Sequence, residues 1–512
     1  MKTSITVSAS LLLLSLVFNV AGSSNNPDQP FQEHVARTTS IYNDLAAQPL
    51  LPTFLEARSE ADSVGLNLTD IQSDILVGMK KKKELFFFFG IQNAAQFKSK
   101  LASDIHSLIT STAQILNVTT QPLTAVNLAF SNPGLTALRI IDDLGDPFYT
   151  SGQGADSAAI GDPGTGNWVT AFKGRSVHGV FILASDTIGN IDVTLSRILS
   201  TLGNSVVELH RIQGAARPGS EEGHEHFGYM DGISQPAVKG FTKWAVPGQM
   251  LVDAGEFLLC QKGDATAITR PPWAKDGSFL VFRQLEQRVP EFNHFLSSNP
   301  ISEPGIKLSP EAGSTLLGAR MVGRWKSGAP VDLAPLFDDP TLASDRMRNN
   351  DFTYHHDGEN SNNQSRCPFA AHTRKVRPRA DLKREDTMHH IIRAGIPYGP
   401  EVTPEESQSD TTNPSLERGL AFVAYQSCIA QGFRFLQQVW INNPNFVKPG
   451  TGVDAIIGSA GSYHSSRNRT ITGLDPSDTG RAMTLQNDFV VSRGGEYFFS
   501  PSISALLNTI AV

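Results

Sequence analysis

The sequence predicts an α+β fold built from two related halves, on three observations. A phenylalanine-rich strand at residues 84–91, ELFFFFGI, leads into a helical pattern through Ala94, Phe97 and Leu101. A second such strand at 277–282, GSFLVF, leads into the helix-like stretch 285–296, LEQRVPEFNHFL. Both apolar runs are unbroken rather than alternating, which suits strands covered on two faces or lining a large core. Further strands are expected at 180–183, 256–259 and 420–425, and helices at 188–202 and 428–440. The polar stretches 338–364 and 398–417 are expected to be long loops, and long ordered loops in enzymes are often functional. The lysine run 80–83 is expected to be a solvated strand flank.

A chain of 512 residues can bury a sizeable core, and its net charge of -7 excludes a nucleic-acid binder, which needs a basic face to displace counterions from phosphate. Lys2 is followed by a short apolar run at 11–20 and the small residues Ala21, Gly22 and Ser23. That pattern makes 1–22 a secretory signal peptide, too short to span a membrane, which takes roughly 20 residues. An extracellular protein with no membrane segment is expected. Sequons at Asn67, Asn117, Asn363 and Asn468 make N-glycosylation the matching expectation. Residues 23–61 are polar and helix-compatible, so they are either a disordered arm or a propeptide. Only 3 cysteines, Cys260, Cys367 and Cys428, are present, so at most one disulfide can form within the chain.

Candidate chemistry gathers in three blocks. In GHEHFGYMDGISQPAV, residues 223–238, Asp231 stands between Gly228 and Gly232, where a sharp turn can place it in a partly apolar recess suited to proton transfer; a turn-capping role is the alternative. In RCPFAAHTRKVRPRADLKRED, residues 366–386, His372 ends an apolar step and is followed by Arg374, Arg377 and Arg379. Imidazole is a good iron ligand and guanidiniums pair with carboxylates, a combination haem would use; a surface histidine in a basic turn is the alternative. In HHIIRAGIPYGPE, residues 389–401, Arg393 is embedded among apolar residues and calls for an anionic partner. His389 and His390 are adjacent and cannot both face one site from a regular element, so at least one is structural.

Four blocks in order, GYMDG with ISQP, CPFAAHTRK, IIRAGIPYG and GLAFVAYQS, resemble the dye-decolorizing peroxidases, particularly their secreted fungal group. The resemblance runs from about Asn67 to the C-terminus. It implies two ferredoxin-like halves with antiparallel sheets, 62–270 and 271–512, in the dimeric α/β-barrel-like fold of that family, with one haem b between sheet and helices. His372 becomes the proximal iron ligand, with Asp454 as its acidic partner. Asp231 becomes the distal proton shuttle and Arg393 the distal cation. Leu420 and Phe422 narrow the distal pocket, and Arg379 and Arg374 meet the propionates. Tyr398 and Trp440 match positions where similar proteins place oxidisable aromatics, giving a surface route for electrons; ordinary packing is the alternative for each. The implied partners are hydrogen peroxide and aromatic dye or phenolic reductants, with the chain a monomer or weak dimer. The resemblance also makes 23–61 a propeptide, with the mature chain beginning near 62–67. A secreted haem-binding protein with little turnover is the rival reading, and the presence of both Asp231 and Arg393 argues against it.

Overall fold

The computed structural model describes residues 46–512 except 80–81, 118–119, 303–304, 361–362, 383–385 and 460–468, together with the backbone of His34–Ala36. All lie within the unit Glu33–Val512. The expected signal peptide, most of the expected propeptide, half of the lysine run and Asn468 fall outside the described residues.

Helix α1, Phe54–Val64, opens with a capping box in which Thr53 and Glu56 satisfy each other's backbone donors. Four strands follow: β1 (Lys83–Ile91), β2 (Thr124–Ser131), β3 (Gly179–Ser185) and β4 (Val206–Ala215). Helix α2 (Ala94–Lys100) follows β1, and α3 (Ile188–Leu202) joins β3 to β4. The second half repeats the plan with β5 (Ser278–Gln287), an interrupted β6 (Ile392–Arg393 and Ile396–Tyr398), β7 (Gly419–Gln426) and β8 (Val490–Ser500). Helix α4 (Val289–Ser298) follows β5, α5 (Pro310–Val322) comes next, and the short α6 (His372–Val376) precedes β6.

Within each half the strand that comes first in sequence sits between the fourth and the third, giving the orders β4-β1-β3-β2 and β8-β5-β7-β6, both antiparallel and both ferredoxin-like. The halves meet edge to edge: β8 pairs with β2 at Phe498↔Ser131, and β6 pairs with β4 at Tyr398↔Gly214. The ring of strands therefore closes into a barrel, which removes most of the edge an open sheet would expose and leaves one side of Ile392–Arg393 without a strand partner among the described residues.

The phenylalanine run shows how sequence sets this layering. Side chains alternate across a strand, so Phe86 and Phe88 point one way and Phe87 and Phe89 the other. Phe86 and Phe88 lie 5.2 and 4.8 Å from Phe282 of β5, a strand that does not neighbour β1, so the contact crosses the barrel interior. Phe89 instead meets Phe97 of α2 at 5.8 Å, and the outer face takes the stripe Ile191, Leu195, Ile198 and Leu202 of α3. Both faces are buried, as the unbroken apolar runs require.

Three expected elements differ. The helix expected at 285–296 begins only at Val289, because β5 continues to Gln287 in register with β7 on one side and β8 on the other. No strand forms at 256–259: Phe257 to Leu259 are buried, but their amides go to Ala254 and Gly277 in a turn. A short apolar run does not distinguish the two. The helix expected at 428–440 starts at Phe433, after Gly432. All three cysteines are unpaired.

Candidate active site

His372 is placed by burial of the apolar step before it. Phe369, Ala370 and Ala371 are sunk in the core, and the chain turns there into α6, which His372 opens. The Ala455 amide donates to Ala370 O at 3.0 Å, which brings the neighbouring Asp454 against the ring. Asp454 Oδ2 lies 2.8 Å from His372 Nδ1, and its other oxygen accepts from the amides of Ile456 and Ile457. Burial works to raise the Asp454 carboxyl, but the His372 charge and these donors outweigh it and hold the group low. With Nδ1 committed, Nε2 is the nitrogen left to bind a metal, oriented by its carboxylate as ligating histidines are.

Asp231 sits in a loop organised by Glu225, whose carboxylate accepts from the amides of Phe227 and Tyr229 at 2.8 and 3.0 Å. Gly232 follows at φ 80°, a left-handed conformation suited to glycine, and its amide donates to Asp231 Oδ1 at 2.6 Å. Arg393 Nη1 donates to the same oxygen at 2.5 Å, and Nη2 to Ser234 O at 3.2 Å. Burial pushes the Asp231 carboxyl up, but the Arg393 charge and hydrogen bond, the Gly232 amide and the His372 charge hold it below the ordinary carboxylate value. His372 is acted on in turn by Asp454, Arg393 and Asp231, so the three groups bear on one region. Asp231, Arg393 and His372 keep 42, 30 and 30% of their side-chain surface open, so all three border a recess that solvent can reach.

Leu420 and Phe422 alternate with Ala421 and Val423 along β7, so they share the face of Ala424, the residue opposite Arg393 on β6. That face lies outside the barrel, where Phe422 packs against Phe433 and the outer apolar cluster.

The two arginines expected to meet propionates separate. Arg374 is spent: its guanidinium makes a bidentate pair with Asp381 at 2.6 and 2.7 Å and lies 4.0 Å from the centre of the Phe369 ring. It is fully buried and structural, contrary to expectation, because Asp381 folds back onto it. Arg379 donates to neutral groups, the carbonyls of Gly248, Asn350 and Phe352 and the amide oxygen of Asn350. Arg324, which sequence reasoning missed, shares that amide oxygen at 3.1 Å. Neither has a carboxylate within ion-pair distance among the described residues, and burial, reinforced by the charges of Arg379 and Arg393, pushes Arg324 down to about 9. A buried guanidinium, Arg324, beside a half-buried one, Arg379, with no anion between them is costly. The Nε of Arg379 is also buried without a protein partner. An imidazole with one nitrogen free, two guanidiniums without an anion, an orphaned donor and an apolar strand face beside Arg393 fit haem with its two propionates. Nothing local in the segment around Arg324 could have flagged it.

Tyr398 and Trp440 are not at the surface: they are 7 and 3% exposed. The Tyr398 hydroxyl donates to Glu417 at 2.7 Å, and Trp440 packs among His389, Phe435 and Phe446. The sequence showed a turn and a helix end, but packing across the fold buried both.

A closed α+β barrel that brings a histidine–carboxylate pair near an aspartate–arginine pair is an arrangement suited to a haem peroxidase. Residues 70–218 match the DyP dimeric alpha+beta barrel domain, and residues 320–448 match the Dyp-type peroxidase C-terminal domain. The chain belongs to the dye-decolorizing peroxidase family, whose members are haem enzymes. It is 56% identical over 487 residues to dye-decolorizing peroxidase msp1 of Mycetinis scorodonius, covering 93% of this chain and 94% of that one. It is 53% identical over 531 residues to a dye-decolorizing peroxidase of Mycena epipterygia, covering 99% of each. The crystal structure of a decolorizing peroxidase from Auricularia auricula-judae superposes with a TM-score of 0.82 at 51% identity, covering 87% of this chain and 100% of that one.

Proposed function

We propose that this chain is a secreted peroxidase holding one haem b, which spends hydrogen peroxide on one-electron oxidation of dyes, phenolics and other bulky aromatic reductants. The observation that carries this reading is the Asp231–Arg393 pair set in the same recess as His372. Haem storage alone needs neither residue.

His372 Nε2 would hold the iron from one side, and Arg379 and Arg324 would receive the propionates. Haem, when bound, supplies the iron at which peroxide is cleaved and stores the oxidising equivalents. Asp231, ionised, takes a proton from one oxygen of hydrogen peroxide and returns it to the other, which departs as water. Arg393 stabilises the negative charge that develops on the departing oxygen. Leu420 and Phe422 keep bulky reductants out of the recess, so electrons from dyes enter elsewhere. Tyr398 and Trp440 serve as buried relays in this reading rather than as contact points. Glu417, already hydrogen-bonded to the Tyr398 hydroxyl, can take its proton as the phenol loses an electron.

The test is an absorption spectrum of the purified protein before and after one equivalent of hydrogen peroxide, then with a dye. A Soret band that shifts with peroxide and returns with dye is expected. A static band would favour haem storage, and the absence of a band in haem-replete protein would overturn the reading.

Secretion rests on the signal-peptide pattern, glycosylation on sequons of which Asn67, Asn117 and Asn363 are exposed, and a monomer or weak dimer needing neither nucleic acid nor membrane completes the reading. No helix among the described residues is long and apolar enough to cross a membrane. Removal of a propeptide ending near 61 would cut within α1. It would also release a strap from the active-site loop, because the Gln48 amide donates to Asp231 O and the Asn349 amide to Ala47 O, both at 2.8 Å. N-terminal sequencing of the secreted protein is expected to begin between residues 62 and 67; a start at Ser23 would refute the cleavage.

A further inference from the structure

Arg393 has a long, rotatable side chain, yet it must hold its charge where a leaving oxygen will be. Small displacements of such a group are expensive in rate, on the order of 10²-fold for an ångström. Its guanidinium is held by Asp231 and Ser234. What holds its backbone follows from strand register. Ile392 lies opposite Tyr425 and Arg393 opposite Ala424, and the Ala394 amide donates to Val423 O at 2.9 Å. Along an antiparallel strand successive residues direct their N–H and C=O alternately to one neighbour and to the other. Ala394 bonds to β7, so Arg393 turns both its backbone groups away from β7. No strand pairs with that edge of Ile392–Arg393 among the described residues, since β4 meets β6 only at Tyr398.

The side chain of Gln235 fills the gap. Its Nε2 donates to Arg393 O at 2.6 Å, and its Oε1 accepts from Arg393 N at 3.2 Å. A primary amide carries the one donor and one acceptor that a missing strand would offer. Gln235 is itself fixed from outside, its carbonyl accepting from Gln249 Nε2 at 3.0 Å while Gln249 Oε1 accepts from the Val246 amide at 3.1 Å. The stretch 231–235 thus grips Arg393 at both ends, the guanidinium through Asp231 and Ser234 and the backbone through Gln235.

We infer that Gln235 is a positioning residue for the peroxide step, a side-chain substitute for an absent strand that fixes Arg393 against Asp231. The inference rests on the peroxidase reading above, and it gives a purpose to the ISQ segment after the glycine-flanked aspartate.

The test compares the wild-type holoenzyme with Gln235→Leu, one methylene shorter and unable to make either hydrogen bond, and with Gln249→Ala, which removes only the outer support. In Gln235→Leu the rate constant for reaction with peroxide is expected to fall about 10²-fold, with haem content per chain and the rate of the dye-reduction step unchanged. Two further readouts separate positioning from a merely structural role. Cyanide, which binds haem iron as an anion, should bind more weakly as Arg393 drifts. The acid limb of the peroxide reaction should move to higher pH, because Asp231 loses the cation that holds it low while Glu225 and His372 stay in place. Gln249→Ala should shift both in the same direction by less. Wild-type cyanide affinity and acid limb in Gln235→Leu would overturn the inference, as would activity that falls only in proportion to lost haem. If Gln235→Leu does not fold, Gln249→Ala decides: a shifted acid limb supports the inference and an unshifted one overturns it. A wild type that shows no response to peroxide would instead defeat the underlying reading.

Discussion

Replacing His372 with alanine is expected to give a folded chain that no longer retains haem, read as collapse of the Soret absorbance relative to protein absorbance after purification. Three features set the size of the effect. His372 is the imidazole in the recess whose second nitrogen is committed to a buried carboxylate, at 2.8 Å from Asp454. Ligating histidines are oriented and made more basic by such partners. The remaining contacts proposed for haem, Arg379, Arg324 and an apolar strand face, hold its edge and not its iron. Losing the partner alone, in Asp454→Asn, should weaken haem retention by about 10–100-fold, and losing the ligand should cost more. An unchanged Soret-to-protein ratio in His372→Ala would show that another residue ligates the iron.

Asp231→Asn is expected to keep haem and lose its reaction with peroxide, by about 10²–10⁴-fold, the usual worth of a positioned acid–base group. Asparagine preserves shape and can still accept from the Gly232 amide, but it cannot take up a proton. The pH dependence follows from the carboxyl being held below its ordinary value. Wild type should keep reacting with peroxide at pH values where an unperturbed aspartate is half protonated, and lose activity only as pH falls through the lowered value. The same shift stabilises the fold above the ordinary carboxyl value, and that increment is lost over the same descent. Stopped-flow rates across acidic pH check the first statement, and denaturant midpoints over the same range check the second. Full activity of Asp231→Asn at acidic pH would remove Asp231 from the proton-transfer step.

Much of the fold was legible locally. The runs at 84–91 and 420–425 and the helix at 188–202 announced themselves because burial on both faces, or along one stripe, leaves a pattern in a few consecutive residues. The boundary between β5 and α4 was not legible: 285–287 have helical spacing, but strands on both sides capture them. Nor was the turn at 256–259, since an apolar run records burial and not the backbone that achieves it.

By itself the sequence determined the α+β class, the ordered blocks that mark the family, and the aspartate, histidine and arginine expected to carry the chemistry. Each of these is written in residue type and local spacing. Tertiary structure decided which groups meet. Arg374, near His372 in sequence, is consumed by Asp381, while Arg324, 48 positions away from His372, stands with Arg379 as an unpaired cation. Tyr398 and Trp440 lie beneath the surface, and Gln235 reaches an arginine 158 residues further along the chain. A charge or an amide is used up by whatever partner the fold brings within hydrogen-bonding distance, and that partner leaves no trace in the neighbouring residues.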